Sequence, residues 1–91
     1  MSSINRDEYI IKLTNHLQSL RKMINCTQAQ LADRLDISRQ RLIGYERGDR
    51  NMPWTVFLAI VFLFASNEET RLLLEALGIL TDELDEFLKN G

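Results

Sequence analysis

Thr27-Gln28-Ala29-Gln30-Leu31-Ala32-Asp33-Arg34-Leu35-Asp36-Ile37-Ser38-Arg39-Gln40-Arg41-Leu42-Ile43-Gly44-Tyr45-Glu46-Arg47-Gly48 is the stretch that decides the fold. Thr27 and Gln30 have the spacing of a capping box, and Ala29, Leu31, Ala32 and Leu35 supply the apolar positions of a short helix. Asp36-Ile37-Ser38 interrupts it, and Ser38 is suited to cap a second short helix over 39–47 that stops at Gly48. Two short helices joined by so tight a turn must cross steeply. Ala32, Ile37 and Leu42 then meet inside the angle, and the small Ala32 lets the second helix approach. Leu42 and Tyr45 face inward at i, i+3, which leaves Arg39, Gln40, Ile43, Gly44 and Arg47 on the outer side.

That outer face carries chemistry that plain solvent does not require. An arginine can pair with guanine O6 and N7, and a glutamine with adenine N6 and N7. Ile43 suits a thymine methyl group, and Gly44 permits close approach to base edges. Arg41, Arg47 and Arg50 flank the face and suit phosphate.

Working outward, the remaining chain reads as further helices with short joints. Upstream, Asn5 and Glu8 have capping-box spacing, Ile4 and Tyr9 form a hydrophobic staple, and Ile10, Leu13, Leu17, Leu20 and Ile24 form a one-sided stripe. Asn25 suits a left-handed helix end. Downstream, Pro53 suits a first helical turn, and the segment from Trp54 to Ala65 is apolar on nearly every side, with Phe57, Ile60, Val61 and Phe64 as its core-facing set. Ser66 and Glu69 have capping-box spacing for a helix through Leu72, Leu73, Ala76 and Leu77, followed by Gly78 as its C′ residue. Thr81 caps a last short helix with Leu84, Phe87 and Leu88. The expected fold is an all-α, compact bundle of five or six helices in a single domain over 1–91.

Composition narrows the function classes. In 91 residues, 45% hydrophobic and 26% charged side chains suit one globular domain, and few Gly and Pro disfavour a turn-rich β architecture. One cysteine, Cys26, allows no internal disulfide and no multi-cysteine zinc site, and His16 has no second ligand placed to share a metal. Cys26 reads as a small buried thiol and His16 as an edge residue. No metal cluster, phosphate loop or pair of catalytic carboxylates appears, so neither enzyme activity nor a cofactor is expected. No secretory signal or membrane-spanning run is apparent, and a cytoplasmic location is expected. The net charge of −2 hides a split: residues 1–66 carry nine basic and six acidic side chains, residues 67–91 two basic and seven acidic. A basic portion joined to an acidic end fits binding of nucleic acid by the first, with the second turned away from phosphate.

Thr27-Gln28-Ala29-Gln30-Leu31-Ala32, Leu35-Asp36-Ile37-Ser38-Arg39-Gln40 and Tyr45-Glu46-Arg47-Gly48 resemble the Cro and phage-repressor (Xre) class of helix-turn-helix regulators, whose pattern runs T/S-Q-x-x-L-A, a turn, S-R/Q-x-x-I/L and x-E-x-G. The resemblance spans about residues 20–61 and implies a lambda repressor-like bundle and a bacterial or phage source. It also implies a transcriptional regulator, expected to be a repressor, that reads double-stranded DNA in the major groove with the helix over 39–47. By position, Gln28 would hold a backbone phosphate, and Arg39 and Gln40 would face base edges. Three departures stand out. Relatives read bases with a side chain at the position of Gly44, which has none. Asp36 occupies a turn position that is commonly Gly, and the helix from Trp54 lacks the polar face usual in relatives.

A chain of this size can hardly cover every side of that apolar helix, so a homodimer is expected, with Trp54, Leu58, Phe62, Leu73, Leu77 and Phe87 at its interface and the acidic helical extension 67–91 taking part. Two recognition helices would then lie one DNA turn apart, ~34 Å, and require a near-palindromic operator. The alternatives of the same fold are an antitoxin-type regulator that also binds a protein partner through its C-terminal region, and a protein-binding adaptor.

Overall fold

The computed structural model describes residues 4–90, which form six helices and, among the described residues, no strand. They are α1 (Arg6–Met23), α2 (Gln28–Leu35), α3 (Arg39–Arg47), α4 (Trp54–Ala65), α5 (Glu68–Ala76) and α6 (Asp82–Asn90). Local chemistry sets most of the boundaries. Asn5 accepts from the Glu8 amide to open α1, and Asn25, at φ 53°, turns the chain after it. Thr27 and Gln30 form the reciprocal capping box that opens α2. Asp36 closes α2 in the left-handed region, at φ 56° and ψ 44°, a conformation that an Asp side chain tolerates better than most.

α4 runs through the middle of the bundle. Its buried residues are Phe57, Ile60, Val61 and Phe64, the set expected from the sequence. α1 contributes Leu13, Leu17 and Leu20, α2 Leu31, and α3 Leu42, all without solvent exposure. The acidic segment joins this same core, with Leu74, Ile79 and Leu84 fully buried. The radius of gyration, 12.6 Å, is close to that of a compact chain of this length, so α5 and α6 fold back instead of trailing.

Three details differ from the sequence reading. Asn67, not Ser66, caps α5: Ser66 still has helical φ and ψ and donates its hydroxyl to the Phe62 carbonyl, whereas Asn67 is extended and accepts from the Thr70 amide. The inner face of α5 is therefore Thr70 and Leu74, with Leu73 and Leu77 half-buried and Leu72 exposed. Thr70 tolerates complete burial because its hydroxyl donates to the Phe64 carbonyl, an oxygen at the end of α4 that also accepts from the Asn67 amide. Pro53 is the N-cap of α4, outside its first turn, in an extended conformation.

α6 is fastened at the start of α1. The Tyr9 phenol donates to Glu83 Oε1 at 2.8 Å and accepts from Thr81 at 2.6 Å, while Thr81 caps α6 by accepting from the Leu84 amide. Burial pushes the Tyr9 phenol above its ordinary pKa, with the Glu83 carboxylate adding to the rise. Beside it, Trp54 stacks on Phe57 at 4.6 Å and meets Phe87 edge-on at 6.4 Å, and the Arg6 guanidinium lies over both Trp54 and Phe87.

The raised phenol pKa means that the docking is at full strength below the unfolded value and is lost only as pH rises through the folded value, in the alkaline range. Tyr9→Phe is therefore expected to cost about 1–2 kcal/mol at every pH from about 6 to 8.5 and to speed amide exchange selectively in α6. Urea denaturation and hydrogen exchange check this. Unchanged α6 protection in the variant would contradict the docking role.

Candidate nucleic-acid interface

α3 is fixed at both ends and along its inner face. Ser38 opens it in an extended conformation and accepts from the Arg41 amide at 3.1 Å. Gly48 closes it in the left-handed region at φ 79°, where a side chain would be strained. Leu42 and Tyr45 anchor the inner face in the core. Between the helices, the Ile37 amide donates to the Ala32 carbonyl at 3.0 Å, which holds the turn closed.

The strongest polar anchor lies behind this arrangement. Arg21 of α1 and Glu46 of α3 form a two-pronged ion pair, Nε to Oε2 at 2.7 Å and Nη2 to Oε1 at 3.0 Å, with both side chains about nine-tenths buried. The third guanidinium nitrogen donates to the Cys26 carbonyl at 3.1 Å, and Gln28 Nε2 donates to Glu46 Oε1 at 3.0 Å. One carboxylate thus collects α1, the start of α2 and the end of α3, and no side-chain polar atom buried among the described residues is left without a partner. The sequence reading missed this pair. Its signal was present, since Arg21 falls one turn after Leu17 on the apolar stripe and Glu46 one turn after Leu42, so that opposite charges occupy two buried helix faces.

The sequence-derived candidates divide into several groups. Arg39, Gln40, Arg41 and Arg47 are exposed on α3 and take no side-chain hydrogen bond or ion pair among the described residues, and Ile43 is half-buried. Gln28 is half-buried, its amide nitrogen engaged by Glu46. Gly44 is buried, because the stem of Arg50 lies across it. The ends of α1, α2 and α3 enclose an open hollow of about 600 Å³ lined by Gln18, Lys22, Thr27, Gln28 and Arg39. Free amides at a helix start beside Lys22 and Arg39 make that hollow suited to an anion.

The residues expected at a dimer interface are likewise split. Trp54 and Phe87 are engaged with each other and with Arg6, Leu58, Leu73 and Leu77 are half-buried, and Phe62 is 77% exposed. Cys26 is buried and His16 half-buried. Among the described residues no group of His, Cys, Asp and Glu could hold a metal ion, and no helix is long and apolar enough to cross a membrane.

Residues 17–53 match a family model described as Helix-turn-helix. Among curated proteins and solved structures, none matches the chain significantly.

Breaking the buried pair from one side leaves an uncompensated charge. Arg21→Met is expected to cost about 3–5 kcal/mol, and the double change Arg21→Met with Glu46→Leu to recover most of that loss. Denaturant melts of the two variants check the cycle. A single-variant loss below about 1 kcal/mol would contradict the role given to the pair.

Proposed function

We propose that the chain is a sequence-specific repressor that reads the major groove with α3 as a homodimer, a reading supported by the helix-turn-helix match over residues 17–53 and by the resemblance to the Cro/phage-repressor class of DNA-binding transcription regulators. One observation carries the reading. Arg39 and Gln40 stand exposed and unengaged at the start of a helix held at both ends, while Arg21, close behind, spends every guanidinium nitrogen on protein acceptors. An arginine needed for the fold is buried and paired; the ones on the outer face of α3 are not.

Arg39 and Gln40 read base edges, with Ile43 offering an apolar contact at the edge of the same face. Arg41 and Arg47 take phosphates, and the hollow at the start of α2, with Lys22 beside it, takes one more. Charge placement supports this orientation. α6 is fastened at Tyr9 and the α2 start at Arg21, about 18 Å apart along α1 at 1.5 Å per residue, so the acidic helix is held away from the basic surface.

The second copy is placed on the outer side of α4 and α5. Phe62 on α4 and Leu72 on α5 are 77% and 54% exposed, which is unfavourable for a lone subunit and ordinary for a buried seam. Leu58 on α4 and Leu73 and Leu77 at α5 are half-buried and add apolar area to the proposed seam.

Arg39→Ala and Gln40→Ala are each expected to cost about 1–3 kcal/mol at the cognate duplex and to relax preference at one position per half-site. Arg47→Ala is expected to weaken all sequences alike and to reduce the salt slope by about one. Selection from a random duplex pool, followed by binding titrations at several salt concentrations, checks both. Unchanged motif and affinity in Arg39→Ala and Gln40→Ala would contradict the groove assignment. Sedimentation at micromolar concentration is expected to show a dimer that Phe62→Glu converts to a folded monomer. A wild-type monomer under those conditions would contradict the seam.

A further inference from the structure

Gly44 is the bare position on the outer face of α3, one turn after Gln40. It is nevertheless buried, because the chain after Gly48 doubles back onto it. The Asp49 and Arg50 amides both donate to the Gly44 carbonyl, at 2.9 and 3.2 Å. The aliphatic stem of Arg50 then crosses the place where a residue-44 side chain would begin. A Cβ there would lie 2.8 Å from Arg50 Cδ and 2.9 Å from Cγ, closer than packed carbon atoms come. The guanidinium at the end of that stem is exposed and has no hydrogen bond or ion pair among the described residues.

We propose that Arg50 is a sequence-reading residue seated by Gly44, supplying from the following loop the base contact that position 44 lacks the side chain to make. This rests on the groove reading given above. Taken singly, the two residues suggest diffuse charge at Arg50 and close approach at Gly44; their packing makes them one unit. A stem held against the helix beside Gly44, one turn after Gln40, has given up rotamer freedom before the ligand arrives. A planar fork so held favours a bidentate contact with guanine, which a lysine ammonium does not reproduce. Gly44→Ala unseats the stem without disturbing α3, because Ala is the better helix former and φ at this position is not left-handed.

The test is selection from a duplex pool with a random core, run with the full chain as wild type, Arg50→Ala, Arg50→Lys, Gly44→Ala and the Gly44→Ala/Arg50→Ala double variant. Affinities are then measured on the wild-type site, and melting of each free protein is followed by circular dichroism. Arg50→Ala is expected to lose preference at one position per half-site, distinct from those set by Arg39 and Gln40, with affinity down about 10- to 100-fold. Gly44→Ala is expected to lose the same position while melting no lower than wild type, the double variant to fall within about threefold of Arg50→Ala, and Arg50→Lys to leave the preference lost. The proposal is overturned if Arg50→Ala keeps the wild-type motif, if Arg50→Lys restores it, or if the double variant falls well below both singles, which would mean that the Ala methyl strikes DNA on its own account. A wild-type pool that yields no motif overturns the groove reading and this inference together; a wild-type motif that Arg50→Ala retains overturns this inference alone.

Discussion

The Arg21–Glu46 pair is the constraint on which the helix-turn-helix geometry depends. A helix-turn-helix has little core of its own, and three short segments must hold one geometry for the outer face of α3 to mean anything. Apolar contacts at Leu31, Leu42 and Tyr45 supply much of the stabilisation, but such contacts are non-directional and tolerate small rotations. A two-pronged ion pair with Gln28 and the Cys26 carbonyl as further partners does not, because each hydrogen bond fixes a distance and an angle. Burial also makes it unforgiving: its full set of partners must be present together, or a charge is stranded.

The same economy governs the rest of the polar surface. Guanidinium groups near the start of α2 and α3 fall into two populations, one consumed by the fold and one left to solvent. The acidic helices are not a loose tail, since Tyr9, Thr81 and the Arg6–Trp54–Phe87 stack tie α6 to the start of α1. Fastening that negative charge near Tyr9 keeps it about 18 Å along α1 from the hollow lined by Lys22 and Arg39.

Much of this was legible in the sequence, for physical reasons that differ between elements. The bounds of α3 could be read because Ser38 and Gly48 are strong local punctuation, and the buried face of α4 because its large side chains recur at helical period. The start of α5 was misread by one residue because Ser66 and Asn67 are both competent caps, and only the backbone conformation chooses between them. The Arg21–Glu46 pair left a trace, charge on two apolar stripes, but pairing across 25 positions depends on helix crossing, which local pattern does not specify. The seat of Arg50 on Gly44 had no signal beyond the glycine itself, because it arises from how the loop returns after Gly48.

In the proposed function, the outer face of α3 is the surface that meets DNA. Its most direct test is a nitrogen-15 amide and guanidinium spectrum of the full chain, titrated with the duplex recovered by selection. The largest shifts are expected on the Arg39–Arg41 and Gln28–Ala29 amides and on the Arg39 guanidinium, with the Arg21 guanidinium unmoved. Shifts centred on α6, with α3 silent, would contradict it.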